Sequence, residues 1–397
     1  MTTAVLDAAL ALADTRVPGR TTTAMARFDE DVVTLAAEAA LDLADRHGPA
    51  ALVLATTTAP FAEGGTVATL AEMLGIDGVA QELGGSAAAG GAALVTGMAL
   101  VAAGVEPVLV VAADDRRDPD GRPLGAGAAA IVLGSRGDGG TLTHLGSMAS
   151  WFPDAWREPD QDRLAYGDRS FAKYSPTGPF AKTHRADHVA GPLGPPIDRA
   201  GVLGTAALVA TMLLEAPRKN GVRRFAVGAG GLGHAFELVG GATTTRLRRD
   251  AERVLAGGTD GPAPAAIDLE DLDPYASEPR AWRERRADLR LEAVRDPASG
   301  ETFFPPIPAA PDRPLETVRL ARRGRVVTFT RDHVYPLGGP MSMTVVDLDG
   351  GGRFFGQTAA DVDLEIGMPV RLVPRLLHRG GGLPHYFWKV MPDADLR

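Results

Sequence analysis

Three short constellations in this sequence have residue types and spacings that could carry chemistry, and each has an ordinary structural reading beside it. Gly228, Gly230 and Gly233 form a literal G-x-G-x-x-G behind an apolar run, the spacing with which a strand-to-helix turn brings backbone N–H groups to a pyrophosphate. The residues that follow, His234-Ala235-Phe236-Glu237-Leu238-Val239, alternate polar and apolar with the period of a strand, which favours a glycine-rich hairpin over a nucleotide site. His184 and His188 stand i, i+4, so on a helix both imidazoles would share a face and could hold a metal. No Glu occupies the intervening zincin position, and loop histidines are the ordinary reading. Ser86 in GGSAAAG could act as a nucleophile at a helix start, where backbone N–H groups stabilise an oxyanion. Ala88 stands where a G-x-S-x-G frame needs its second glycine, and capping a helix is the common duty of such a serine.

Composition limits what these residues can do. The 397 residues carry 41 Lys+Arg against 50 Asp+Glu, a formal charge of −9, so the basic excess that drives non-specific binding to nucleic acid or an anionic membrane is missing. There is no cysteine, which excludes a disulfide framework, a thiolate zinc site, an iron–sulfur cluster and every thiolate nucleophile. The stretch from Met1 to Ala13 carries Asp7 and lacks a basic n-region, so it does not read as a secretory signal, and a cytoplasmic protein is expected. Leu83 to Val105 is uncharged, but it is rich in Gly and Ala and bordered by Glu82 and Glu106. A buried central helix is expected there, not a membrane span.

The elements that would position these residues follow from periodicity. Asp29, Glu30 and Asp31 precede a helical spacing through Leu43 that Gly48 and Pro49 stop, with acid at the positive end of the helix dipole. Ala51 to Ala55 reads as a strand covered on both faces, Thr66 to Leu74 as a helix ended by Gly75, and Val79 to Leu83 as a brief extended run. Pro107 to Ala112 and Ala128 to Leu133 are further apolar strands, separated by a polar hairpin or loop from Asp114 to Arg122. This alternation predicts an α/β layer architecture. Trp151 to Pro196 breaks the rhythm, and long irregular segments inside compact domains are functional or disordered. It resumes with a helix from Gly201 to about Leu214 and strands at Arg223 to Val227 and Ala235 to Val239. Beyond an acidic Gly/Pro linker over 257–274, five short runs (Val326 to Thr330, Ser342 to Asp347, Arg353 to Thr358, Val370 to Pro374, Tyr386 to Val390) predict a five-stranded barrel of the OB type.

A resemblance to known families joins these pieces. FDEDVVTLAAEAALDL (28–43), LVLATTTAPFAEGGTVATLAEMLGI (52–76), ELGGSAAAGGAAL (82–94) and VLVVAADDRRDPDGRPLGAGAAAIVLG (108–134) resemble the N-terminal half of 3-hydroxy-3-methylglutaryl-CoA synthase and ketoacyl synthase III, within the thiolase superfamily. GVLGTAALVATMLLEA (201–216) and FAVGAGGLGHAFEL (225–238) are similar to that fold's last helix and paired strands. FFPP (303–306), GRVVTFT (324–330), VVDLDGGGRFFGQ (345–357), IGMPV (366–370) and YFWKVMP (386–392) resemble the acyl-CoA-associated OB-fold domain that carries a zinc ribbon. The resemblance implies a shortened, layered αβαβα thiolase-like domain over 1–256, a degenerate zinc-ribbon-like segment with a helix over 275–323, and an OB-fold over 324–397.

The departures from that pattern direct the functional expectation. The helix after GGS in family members opens with the acyl-accepting cysteine, and here that position is Ala87. Thr57 stands where synthases of the hydroxymethylglutaryl type place a general-base glutamate, Ala126 where an aspartate is common, and Val202 where an asparagine is often found. His184 matches the catalytic histidine only loosely. The segment 295–317 lacks the ribbon's four cysteines, so neither structural zinc nor another resident cofactor is expected, with acyl-CoA as ligand. The expected role is a non-condensing partner or scaffold subunit of a thiolase or acyltransferase complex, a homodimer that docks a separate cysteine-bearing thiolase and takes acyl-CoA or an acyl carrier. Thr57, Ser86, Ala87 and Gly204 are the expected acyl-CoA pocket residues. One alternative is a cysteine-independent acyl-CoA lyase, a retro-aldolase using Tyr166, Tyr174 and His184 as acid/base groups. A nucleotide-dependent oxidoreductase rests on the 228–233 glycines alone.

Overall fold

The central sheet begins at once, in residues that the periodicity leaves unassigned. A computed structural model describes every residue except 62, 159–162, 263–276, 311–312, 334–340, 360–362, 381–382 and 394–397. The first of two units, Met1–Ala265, opens with β1 (Thr2–Leu12), β2 (Thr15–Val17), β3 (Thr23–Met25), α1 (Val32–His47), β4 (Ala51–Ala55), α2 (Thr66–Leu74), β5 (Val79–Leu83) and α3 (Ala89–Ala102). It continues with β6 (Val108–Arg117), β7 (Pro123–Gly134), β8 (Gly140–Ala149), β9 (Ala155–Trp156), β10 (Ala165–Tyr166), α4 (Thr177–Thr183) and β11 (His188–Ala190). It closes with α5 (Ala207–Leu214), β12 (Val222–Ala229), β13 (Leu232–Gly240), α6 (Thr244–Ala256) and β14 (Thr259–Asp260).

Nine strands form one sheet in the order β11-β12-β13-β8-β1-β7-β6-β4-β5. β4 pairs in parallel with β5 and β6, β6 pairs antiparallel with β7, and β1 joins the two halves through β7 on one side and a short pairing with β8 on the other. Every residue of β4 is buried, as its unbroken apolar run requires of a strand covered on both faces. α3 packs on β4, β6 and β7 and reaches β13, while α1 packs on β6 and β7. α1 is capped as its sequence demands: the Asp31 carboxylate accepts from the Thr34 N–H at 2.9 Å, and the Thr34 hydroxyl accepts from the Asp31 N–H at 2.8 Å.

Of the hairpin or loop expected over Asp114 to Arg122, the structure has the hairpin, with β6 running on to Arg117 and paired with β7 as far as Pro123. Two expectations are corrected. The acidic linker cannot begin at 257, since Thr259 and Asp260 pair with Thr15 and Arg16 of β2, and its residues 263–274 lie outside the described residues. His184 and His188 do not share a helix: His184 ends α4 and His188 opens β11.

The second unit, Ala266–Arg397, contains α7 (Glu278–Arg290), β15 (Glu292–Arg295), β16 (Thr302–Phe303), β17 (Glu316–Arg319), β18 (Arg323–Asp332), β19 (Met341–Leu348), β20 (Arg353–Gln357), β21 (Pro369–Gly380) and β22 (Leu383–Pro392). The last five form a sheet in the order β20-β19-β18-β21-β22, and a bridge from Thr358 to Val390 brings its two edges together. Trp388, Val346, Phe354 and Val390 fill its interior. Among the described residues no helix is long and apolar enough to cross a membrane.

Candidate functional site

The site grows from the ends of two parallel strands. β4 stops at Ala55 beside Ala112 of β6, so the three threonines after β4 and Asp114, two residues further along β6, come to the same level. Asp114 is wholly buried. Its Oδ1 accepts from the Thr57 N–H at 2.6 Å and lies 3.0, 3.1 and 3.2 Å from the hydroxyls of Thr57, Thr58 and Thr56. Its Oδ2 accepts from the Thr205 N–H at 2.7 Å and lies 3.0 Å from the Thr205 hydroxyl. A buried carboxylate is tolerable only when its lone pairs are taken up in this way. The turn that aims Thr205 at Asp114 needs Gly204, with φ of +57°, where a Cβ would collide with Asp114 Oδ2.

In front of this lock lies a cavity of about 530 Å³. One wall is the turn Gly84-Gly85-Ser86-Ala87. Ser86 Oγ accepts from the Ala88 N–H at 3.2 Å and its carbonyl from the Ala89 N–H at 2.9 Å, a local hydrogen-bonded turn into α3. Ala87 is 3 % exposed and packs with Ala88 and Ala229. Arg116, Arg117 and Arg157 also line the cavity. Arg116 is 4 % exposed, and burial lowers its pKa, opposed by the charge of Asp114. Its Nη1 donates to the Pro192 carbonyl at 2.7 Å, and Arg157 Nη2 donates to the Thr57 carbonyl at 2.7 Å. Partial burial raises the carboxyl of Glu82, also at the cavity, against the hydrogen bond from the Val67 N–H.

Thr57, Ser86 and Ala87 therefore meet at one cavity, and Gly204 sits behind its wall against Asp114 and Arg116. The acid/base candidates are not brought together. Tyr166 lies near Arg116, whereas Tyr174 is 66 % exposed. His184 stands edge-on to Phe180 at 4.7 Å and packs over Gly146, outside the cavity lining. The glycine motif is the turn of an antiparallel hairpin, Ala229 facing Leu232 across Gly230-Gly231.

Sequence reasoning missed Asp114, Arg116 and Arg157 as site residues. The available signal was VVAADDRR, an apolar run passing without a breaker into four charges. It also missed a second polar cluster, where the Ser147 hydroxyl lies 3.0 Å from His144 Nε2 and 3.0 Å from His234 Nδ1. A register shift where β8 pairs with β13 puts these residues together. Burial, and then the neighbouring His144, push the His234 imidazole down to about 4. Among the described residues no three His, Asp or Glu side chains are grouped to hold a metal.

Solved structures share the architecture of the first unit. MvaS in complex with 3-hydroxy-3-methylglutaryl coenzyme A superposes with a TM-score of 0.54 at 17% identity, over 68% of this chain and 94% of that one. PksG, an HMG-CoA synthase from Bacillus subtilis, gives 0.55 at 15% over 66% and 85%. The HMG synthase of the curacin biosynthetic pathway, in complex with acetyl donor-ACP, gives 0.53 at 14% over 67% and 86%. Residues 317–375 match the family model of the ChsH2 C-terminal OB-fold domain. The chain joins a thiolase-like fold to an OB-fold domain. No curated protein matches it by sequence.

Proposed function

We propose that this chain is a non-condensing subunit that binds an acyl thioester in the cavity beside Ala87 and works with a separate, cysteine-bearing thiolase. One observation carries the reading: the cavity has a methyl group at Ala87 and no thiol anywhere in the chain, while the hydroxyls of Thr56, Thr57 and Thr58 are all engaged with the buried Asp114. Covalent acyl transfer needs a nucleophile and its activator as a unit, and the Ser86 hydroxyl at the cavity accepts from the Ala88 N–H with no side-chain base bonded to it among the described residues. The Gly84-Gly85 turn supplies backbone for close approach, as a bound thioester requires. MvaS holds 3-hydroxy-3-methylglutaryl coenzyme A and the curacin HMG synthase is in complex with acetyl donor-ACP, which supports a thioester of CoA or of a carrier protein as the ligand class. The OB-fold domain is the proposed dock for the thiolase. β5, the last strand of the sheet, is the proposed dimer contact, since an exposed edge strand invites pairing with a second copy.

The test is a tagged purification from the native host, with mass spectrometry of the co-purifying proteins and the bound thioesters. A cysteine-bearing thiolase in stoichiometric amount, together with a retained acyl thioester, is the expected result. A lone homodimer that cleaves or hydrates an acyl-CoA would overturn it. That outcome belongs to the second reading, a cysteine-independent lyase, which the nearness of Tyr166 to the cavity-lining Arg116 favours. Tyr166→Phe would then abolish turnover.

A further inference from the structure

We infer that Ser147 is a nucleophile activated by His144, in a second site that takes short-chain carboxylic esters. Its Oγ lies 3.0 Å from His144 Nε2 and 3.0 Å from His234 Nδ1, and none of the three residues lines the cavity beside Ala87. A serine hydroxyl has one proton, so it donates to one imidazole and accepts from the other. Residues three apart on a regular strand point to opposite faces, as His144 and Ser147 would on an unbroken β8. The register on β13 shifts between them: Ala235 faces Gly146 and Phe236 faces His144, so Leu145 is the extra residue of a bulge. The bulge turns His144 toward Ser147, whose cross-strand neighbour is His234, and bulges are favoured where a side chain is re-aimed beside an active site. Both rings are seated. His234 lies over Gly91 of α3, where a Cβ would come within 2.9 Å of the ring Cδ2, and His144 packs on the buried Phe236 with ring centroids 5.4 Å apart. Ser147 itself is exposed, so an ester can reach it, and an exposed serine offers little wall to a long acyl chain.

The two imidazoles are unequal. Burial, and then His144, hold His234 at about 4, which makes it a weak base near neutral pH but a neutral N–H donor there. His144 is also lowered by burial, but a hydrogen bond from its ring to the Gly146 backbone opposes that shift. The same bond orients the ring, as a third group does in a nucleophile and base pair. In the reaction, Ser147 Oγ bonds to the ester's carbonyl carbon as its proton passes to His144 Nε2. The alkoxide or phenoxide leaves with the electron pair of the broken C–O bond and takes that proton. Water then attacks the acyl-serine, its proton again passing through His144, which releases the carboxylic acid and restores the Ser147 hydroxyl. The His234 N–H stays within reach of the reacting centre, where negative charge gathers on the carbonyl oxygen.

Labelling of the full chain with a fluorophosphonate, read by peptide mass spectrometry, and hydrolysis of p-nitrophenyl acetate test this together. The label is expected on Ser147, an Oγ–P bond replacing the P–F bond as fluoride leaves and His144 takes the hydroxyl proton. Ser147→Ala should remove the label and lower kcat/KM for the ester by at least about 100-fold. His144→Gln should cost about 100-fold as well, since an amide cannot take up the proton, whereas His234→Gln should stay within about tenfold because its amide N–H still donates. Should the variants fail to fold, the labelling of the wild-type protein still decides. A label absent from Ser147, or ester hydrolysis that survives Ser147→Ala, would overturn the site. A larger loss in His234→Gln than in His144→Gln would overturn His144 as the base. An oxygen ester is used so that neither result touches the thioester proposed for the cavity.

Discussion

The two halves of the nine-stranded sheet are covered very differently. On the side of β4, β6 and β7, the strands are buried almost throughout and backed by the sixteen-residue α1. On the side of β8, β11, β12 and β13, the outer helix is the seven-residue α4, β11 has three residues, and β8 is only half-buried along much of its length. Each half holds one polar cluster, and coverage sets its character. Asp114 on the closed side has its oxygens saturated by threonines brought from two loops, which is how a charge survives in a dry core. His144, Ser147 and His234 on the open side share bonds near solvent. Arg116 lies next to the closed cluster and lines the cavity, where the charge of Asp114 opposes the cost of its burial.

Four measurements would sharpen or break this contrast. Asp114→Ala should be the most damaging change, at about 3 to 5 kcal/mol by chemical denaturation, since it strands several buried donors at once. Asp114→Asn should recover part of that loss. Next, Leu52→Ala in the fully buried β4 should cost about 2 to 5 kcal/mol, while Val189→Ala in the half-buried β11 should stay near about 1 kcal/mol. Equal losses would refute the difference in coverage. Third, His234 has a folded pKa of about 4, below the 6.5 of the unfolded chain, so unfolding takes up a proton between these values. Stability should therefore fall as pH drops from about 6.5 toward 4, and His234→Asn should flatten that slope in urea titrations. The smallest effect on the fold is expected from Val79→Asp on the exposed edge strand β5. It should leave stability within about 0.5 kcal/mol while converting the proposed dimer to a monomer in light scattering.

Elements whose signals are local were legible in the sequence. α1 starts at the Asp31 capping box and stops at Gly48, α2 ends at Gly75, and β4 spans the apolar run itself. The five strands of the OB-fold domain announce themselves by β-branched and aromatic residues between glycine-rich turns. β1 was not legible, because TTAVLDAALAL is rich in a strong helix former and becomes a strand only by pairing with β7 and β8. Its Asp7 is held by Arg46 and Arg246, 39 and 239 residues away. Burial raises that carboxyl, but the hydrogen bonds from Arg246 and His47 and the charge of Arg46 outweigh it and hold it below its ordinary value. β8 escaped notice for a related reason, since a half-open strand alternates too weakly to stand out.

The sequence by itself determined the α/β rhythm, the terminal β barrel and the absence of any thiol chemistry, because these follow from residue identity and from periods of two and 3.6. It also put Ala87 and Thr57 in question through the resemblance of their surroundings. Only the tertiary structure decided that Thr57 serves Asp114, that Ser86 and Ala87 wall a cavity, and that a buried Arg116 lines that cavity with its guanidinium bonded to the Pro192 carbonyl. The physical reason is that burial and charge pairing are properties of what arrives from elsewhere in the chain. Asp114 meets Thr205 across 91 residues, and Arg116 meets Pro192 across 76, separations at which no local pattern carries information.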